Sequence, residues 1–345
     1  MENWIDCHVH VLDGGLEAVE QLAQSQKEYG YSRSNFLSVE GMGDAAQNAL
    51  AIYFKLLSPD HYAFGSMHYR FQYDFVQELE QLHAIGLDGI KMIENKPTER
   101  KKLGFAQDDV RYSCLYRRAE ALDIPFLIHV NDPREFWDPE RAPAWAVEAG
   151  YAYTDGSFVP FEQILEESEY MLRQYPRLRV CFAHMMFLSD DCDRLESMME
   201  RYPNLHLDIT SGTEMYVNFS AQPERWKAFF RRYGDRIFYG TDNCNRMDAY
   251  DRQIGDTIND MQKRFLTEAV QFPLWDSTIQ GFGLEQSLLE KITVGNFRRF
   301  AGERPRPLNR ERAAAYIAAR LEDGRYCLTE REEEILRKIY AFLRK

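Results

Sequence analysis

Two histidines close the first apolar run of the chain, in Asp6-Cys7-His8-Val9-His10. In an extended strand, residues two apart project from the same face, so both imidazoles leave together. A helix would set them about 200° apart and prevent shared chelation of one ion. Paired neutral imidazoles are borderline-soft nitrogen ligands suited to zinc and its neighbours. An HxH alone also fits two surface histidines, so the positions of the other histidines matter. His129 ends Phe126-Leu127-Ile128-His129, and His184 ends Val180-Cys181-Phe182-Ala183-His184. Asp242 ends Phe238-Tyr239-Gly240-Thr241-Asp242, and Lys91 lies in Gly89-Ile90-Lys91-Met92-Ile93. Histidine and aspartate are poor choices for the ends of buried strands unless something pairs them. One cation would pair them all.

The elements that must position these residues alternate along the chain. Strands are expected at Trp4 to Val9, Asn35 to Val39, Tyr62 to Met67 and Gly89 to Ile93, then at Ile124 to Val130, Arg179 to Met185, Leu205 to Thr210 and Arg236 to Thr241. Amphipathic helical stretches such as Phe75 to Ile85, Val110 to Leu122, Glu162 to Gln174 and Asp191 to Tyr202 lie between them. Gly86, Gly89, Pro125, Pro176 and Pro203 punctuate the boundaries. Strand–helix alternation argues for parallel pairing through right-handed crossovers. Eight such units predict an α/β chain folded as a (β/α)8 TIM barrel, which brings all C-terminal strand ends to one mouth. A doubly wound open sheet is the alternative, disfavoured because no GxGxxG follows the first strand.

Two segments exceed ordinary loop lengths. Asn131 to Pro160 follows strand five and carries Trp137, Trp145, Tyr151, Tyr153 and Phe158, which either roof a pocket or pack the loop down. Asn243 to about Glu285 follows strand eight and should contain some helix. The barrel domain is placed at 1–308 and a helical extension at 309–345. In the extension Asn309 is an N-cap, Asp323-Gly324 a break, and Thr329 to Glu332 a capping box. This tail is assigned to packing on the barrel or to contacts between copies of the chain, leaving a homo-oligomer open.

With 345 residues, 45% of them hydrophobic, the chain can fill a large core. A net charge of −13 disfavours nucleic acid and anionic membrane surfaces as partners. No run approaches the ~18 apolar residues that span a bilayer, and the N-terminus lacks the pattern of a signal peptide. Six scattered cysteines without a CxxC pair fit a reducing compartment. The expected location is cytoplasmic, and the Asn218-Phe219-Ser220 sequon is read as chance.

These residues as a set resemble the amidohydrolase superfamily, specifically the amidohydrolase-related branch of metal-dependent TIM-barrel hydrolases, which also holds decarboxylases and lactonases. The resemblance runs from Ile5 to about Arg299. It rests on the Asp6-His8-His10 opening, the histidines after strands five and six, Tyr202 to Asp208 with Ser211-Gly212, Gly240-Thr241-Asp242, and Lys291 to Asn296. It implies that His8, His10, His129 and Asp242 hold a metal, with His184 and Lys91 as further candidates. The position of His184 either binds a second metal or polarises the substrate. The implied cofactor is Zn2+, or Mn2+ or Fe2+, with one ion expected rather than two. A carbamylated Lys91 would instead bridge a pair.

Two departures concern the substrate side. Asn243-Cys244-Asn245 stands where some members have Trp-Pro after the aspartate, and Met185-Met186-Phe187 stands where glycine often follows the strand-six histidine.

The chemistry expected is hydrolysis of a small amide, lactone or ester by a metal-activated water, with Asp242 as general base and His184 polarising the carbonyl. Arg70, Arg134 and Arg246 are candidates for clamping a substrate carboxylate. A lyase reaction on a small carboxylic acid, decarboxylation or hydration, is the alternative on the same site. A barrel that only binds or scaffolds would leave the ligand set without a purpose.

Overall fold

The computed structural model describes residues 3–210, 212–244 and 249–345. Eight parallel strand positions follow one another around the barrel: β1 (Ile5–His10), β2 (Arg33–Leu37), β3 (Tyr62–Gly65), β4 (Gly89–Asn95), β5 (Phe126–Val130), β6 (Val180–Phe182), β7 (Leu205–Asp208) and β8 (Ile237–Phe238). The short β9 (Asn243–Cys244) then pairs in parallel with β1. Strand eight is thus split: its first part pairs with β7 and its second with β1. Between the parts, Cys7 N–H donates to the Tyr239 carbonyl at 3.1 Å and Asp242 N–H to the His8 carbonyl at 2.9 Å. These bonds close the ring, and the fold is the TIM barrel expected from the alternation.

Every expected strand overlaps an observed one, with shifted ends. Strand six stops at Phe182 instead of Met185 because His184, Met185, Met186 and Phe187 all adopt left-handed backbone, with φ of 55°, 51°, 58° and 54°. Helix Phe75–Ile85 appears with its expected bounds. The Asp74 carboxylate accepts from Val76 N–H at 2.8 Å, and Gly86 ends the helix at φ 104°. A side chain at Gly86 would also strike the Pro307 carbonyl.

Opposite layers of the barrel interior differ in character. At the bottom, Phe297 and Phe300 of helix Asn296–Ala301 insert among Tyr62, Phe64 and Phe238 and seal it with apolar surface. The Asn296 side chain donates to the Gly234 and Ile237 carbonyls at 2.5 and 2.7 Å, fixing that helix to strand eight. At the top, the interior is polar.

The segment after strand five folds on itself: Phe136, Ala146 and Tyr153 form a small apolar cluster with Trp137, Tyr151 and Phe158. After strand eight come helix Ala249–Thr267 and an antiparallel hairpin, β10 (Gln271–Leu274) and β11 (Ser277–Gln280). The hairpin is an addition to the helix expected there. In the tail, helices Arg310–Glu322 and Glu330–Leu343 pack on each other and on helices Phe75–Ile85 and Gln47–Leu57. Asn309 and Thr329 cap them, the latter in a capping box with Glu332. Among the described residues no helix is long and apolar enough to cross a membrane.

Candidate metal centre

His8 and His10 leave β1 on the inner face and meet Asp242, which the left-handed turn at φ 59° aims back across the mouth. His8 Nε2 and His10 Nε2 lie 3.0 Å apart. Asp242 Oδ1 is 3.5 Å from the first and 3.4 Å from the second. Four-coordinate zinc with nitrogen or oxygen ligands at ~2.0–2.2 Å needs those ligands roughly 3.2–3.6 Å apart. Two sides of the triangle fall in that range and the third, at 3.0 Å, is slightly shorter, so the triangle has about the size of one metal's coordination face.

The tautomers make the same point. His8 Nδ1 is 2.9 Å from Asp208 Oδ2, and His10 Nδ1 is 2.9 Å from the Leu37 carbonyl. A carboxylate and a carbonyl only accept, so each Nδ1 carries the proton and each Nε2 presents a bare lone pair. Two lone pairs and a carboxylate oxygen then face one another. Lys91 Nζ, 3.4 Å from His8 Nε2, is a donor at their edge. Such a set fits a cation, and the carboxylate–histidine pairing of Asp208 with His8 is the usual support of a metal-bound imidazole.

Burial, reinforced by Lys91, holds the His8 imidazolium form far out of reach, and burial holds His10 down at about 4. Both rings are neutral, as ligands must be. Burial pushes the Asp242 carboxyl up, but positive charge around it, on Lys91 and on whichever of His8, His10 and His184 is protonated, outweighs burial and holds it well below the usual carboxylate range. Burial also lowers the Lys91 ammonium, against the pull of Asp208 and Asp242.

His129 and His184 stand beside this triangle without joining its three atoms, which all lie within 4.8 Å of one another. Their rings are 5.0 Å apart, and His184 is 5.4 Å from His8. His129 Nε2 donates to the Asn131 carbonyl at 2.8 Å and approaches Asp132 at 3.3 Å, which leaves Nδ1 as its bare nitrogen. Asp132 is itself gripped by Lys96 Nζ at 2.6 Å and Tyr153 Oη at 2.5 Å.

The three arginines sit differently. Arg70 is bound to Glu332 and to the Tyr326 and Gly43 carbonyls, tying the C-terminal helices to the barrel. Arg134 pairs with Glu162 at 2.7 Å and Asp190 at 3.5 Å. Arg246 lies outside the described residues.

A reading of strand ends passes over Asp208 and Asp6. Asp208 closes β7, and His184 follows the end of β6 by two residues, so a search for polar residues at strand ends extended to strand seven would have found it. Besides His8, it accepts from His184 N–H at 2.8 Å and Thr210 N–H at 3.2 Å, fixing the start of the left-handed turn. Asp6 accepts from Thr241 N–H at 3.0 Å and Thr241 Oγ1 at 2.5 Å, which anchors the residue preceding Asp242. Replacing Asp208 with alanine should weaken metal affinity about 10–100-fold, measured by competition with a chelator; unchanged affinity would remove it as a support of His8.

Glu94, near Lys91 on β4, is buried; Tyr69 Oη donates to its Oε1 at 2.8 Å, while Oε2 has no hydrogen-bond partner. Burial pushes its carboxyl up to about 7. The folded state therefore keeps a proton that the unfolded chain loses near pH ~4.3, so this contribution to stability fades as pH rises through about 7. Glu94→Gln, permanently neutral, should lose less melting temperature than the parent between about pH 4.5 and 7. Equal losses would rule this out.

A cavity of about 520 Å³ opens beside the triangle, between helices Leu16–Glu28 and Ala249–Thr267, and reaches His10 and Asp242. Its size suits a small molecule.

A family model described as amidohydrolase matches residues 74–302. The chain belongs to the amidohydrolase family. The match begins after His8 and His10, which the fold brings to Asp242. None of the curated proteins matches significantly. Among solved structures, 4-oxalomesaconate hydratase from Rhodopseudomonas palustris is similar at 16% identity and a TM-score of 0.55, covering 92% of this chain and 98% of that one. A zinc-bound amidohydrolase from Burkholderia multivorans is similar at 10% identity and a TM-score of 0.53, over 86% and 98%. A 2,6-dihydroxybenzoate decarboxylase in complex with 2,6-dihydroxybenzoate is similar at 14% identity and a TM-score of 0.50, over 87% and 99%. At such identities the likeness is one of fold.

Proposed function

We propose that this amidohydrolase-family chain is a metal-dependent hydrolase of a small amide, lactone or ester. The observation that carries this reading is the triangle of His8 Nε2, His10 Nε2 and Asp242 Oδ1, three acceptors facing one another at 3.0–3.5 Å. When bound there, one Zn2+ (or Mn2+ or Fe2+) supplies Lewis-acid polarisation and lowers the pKa of a water. His8, His10 and Asp242 hold it, with His129 Nδ1 as the next candidate ligand.

Asp242 remains ionised at neutral pH, and its side chain is 35% exposed at the rim. It can therefore take a proton from the attacking water and return it to the leaving group. His184, fixed through its backbone N–H by Asp208, faces the substrate oxygen on which negative charge develops. Lys91 adds positive charge from below. The substrate is small, and we place the protein in the cytoplasm, since none of its six cysteines forms a disulfide.

The test is to strip the purified protein with a chelator and screen lactones, esters and N-acyl compounds before and after restoring Zn2+, Mn2+ or Fe2+. Hydrolysis that disappears and returns supports the reading. Protein that neither contains nor takes up a divalent ion would end it.

A lyase reading has its own support: two proteins of similar fold are named as a hydratase and a decarboxylase. The same residues would then manage a proton at carbon. Carbon dioxide release from aromatic acids, or water addition to unsaturated ones, without hydrolysis in the screen, would select it.

A further inference from the structure

The cavity beside the triangle is lined by His10 and Asp242 themselves, so a molecule filling it lies against two of the three candidate ligands. From there it extends between helices Leu16–Glu28 and Ala249–Thr267. On the first helix the lining runs from Gln21 to Glu28, about 10 Å of helical rise. The space of about 520 Å³ is therefore drawn out along that helix as a trough.

The lining combines aliphatic surface with neutral polar groups. Leu12, two residues past His10, is 38% exposed, and Leu22, Ile254 and Ile258 add further aliphatic surface. Gln21 and Ser25 supply an amide and a hydroxyl. Among the described lining residues the one benzene ring is that of Tyr29, whose hydroxyl donates to Asp256 at 2.8 Å. The one arginine or lysine among them is Arg252, which pairs with Glu28 at 2.7 Å. Gln24 Nε2 donates to the same carboxylate at 3.0 Å. A ligand carboxylate placed here would have to displace Glu28 and would face Asp242, a like charge.

We infer that this trough holds the non-reacting part of the substrate, and that this part is an uncharged, flexible aliphatic chain. Its length suits an extended chain, its leucines and isoleucines gain from covering apolar surface, and its charges leave no place for an acid. The inference rests on the metal centre being the reaction site. It makes Leu12, Ile254 and Ile258 the residues that set specificity.

The test uses straight-chain hydroxamates, whose head group chelates divalent ions and whose tail can be varied. Acetohydroxamate, butanohydroxamate and hexanohydroxamate are titrated calorimetrically into the zinc-loaded full chain, with metal content and circular dichroism recorded on the same preparations. Affinity should rise about two- to fourfold per added methylene. Adipic monohydroxamate, which has the hexanohydroxamate chain ending in a carboxylate, should bind about tenfold more weakly than hexanohydroxamate. Ser25→Phe, which fills the trough, and Ile254→Asp, which puts a like charge into it, should remove the gain with chain length and leave acetohydroxamate affinity and metal content unchanged. Acetohydroxamate binding with no gain along the series, the same gain in both variants, or adipic monohydroxamate binding as tightly as hexanohydroxamate would overturn the inference and leave the metal centre standing. Protein that takes up no divalent ion would end both.

Discussion

Asp242→Asn should leave a folded barrel whose turnover is down by roughly 10²–10⁴-fold, the range of a lost general base. Asparagine is the conservative choice here because it tolerates the left-handed backbone that residue 242 adopts at φ 59°. The backbone bond from residue 242 to the His8 carbonyl, which helps close the barrel, is also preserved. What is lost is the charge. The carboxylate is held well below the usual carboxylate range by the positive charge around it, whereas an amide in its place can neither take up a proton nor balance a dication. Metal affinity should therefore fall alongside turnover, and measuring both separates the two roles. If the variant turned over the screened substrate at the parental rate, Asp242 would have no part in proton transfer.

The largest effect on stability is expected far from the mouth, at Arg320. This side chain of helix Arg310–Glu322 is buried and reaches Glu40 at 2.6 Å and Glu78 at 2.7 Å. It also donates to the Ala45 carbonyl at 3.0 Å. Arg320→Ala would leave two carboxylates buried around a hole, and breaking a buried pair on one side costs about 3–5 kcal/mol. Glu40 directly follows the strand-two region and Glu78 lies in helix Phe75–Ile85, so the arginine fastens the C-terminal helices to the barrel. Urea denaturation should show the loss as a lower midpoint. Adding Glu40→Gln and Glu78→Gln should restore part of it, because the stranded charges are then gone; a single variant as stable as the parent would show that the ion pairs contribute nothing net.

Local features were legible because they depend on near neighbours. The HxH spacing, the caps at Asn309 and Thr329, and the glycine ending helix Phe75–Ile85 are each set within a few residues. Strand order followed from alternation, since a parallel pair needs a crossover and the crossover has a fixed hand. Strand ends were less legible. Nothing in Met185-Met186-Phe187 announces three left-handed residues, because the conformation is imposed by packing and by the Asp208 bond to His184 N–H. Arg70 illustrates the converse. Its side chain looked available for a substrate, but its partners come from Glu332 and Tyr326, more than 250 positions along the chain.

The sequence by itself determined that two imidazoles leave one strand face together and that a series of parallel strands delivers further polar groups to the same end. Those outcomes follow from the two-residue repeat of a strand and the handedness of its crossovers. Only the tertiary structure decided which groups touch: His8, His10 and Asp242 form the compact triangle, Asp208 sets the tautomer of His8, and His129 and His184 stand beside them. The reason is that contact across a barrel depends on strand stagger and on the turn each chain takes at the rim. Ångström-scale distances there are fixed by packing from every side at once, and no single segment encodes them.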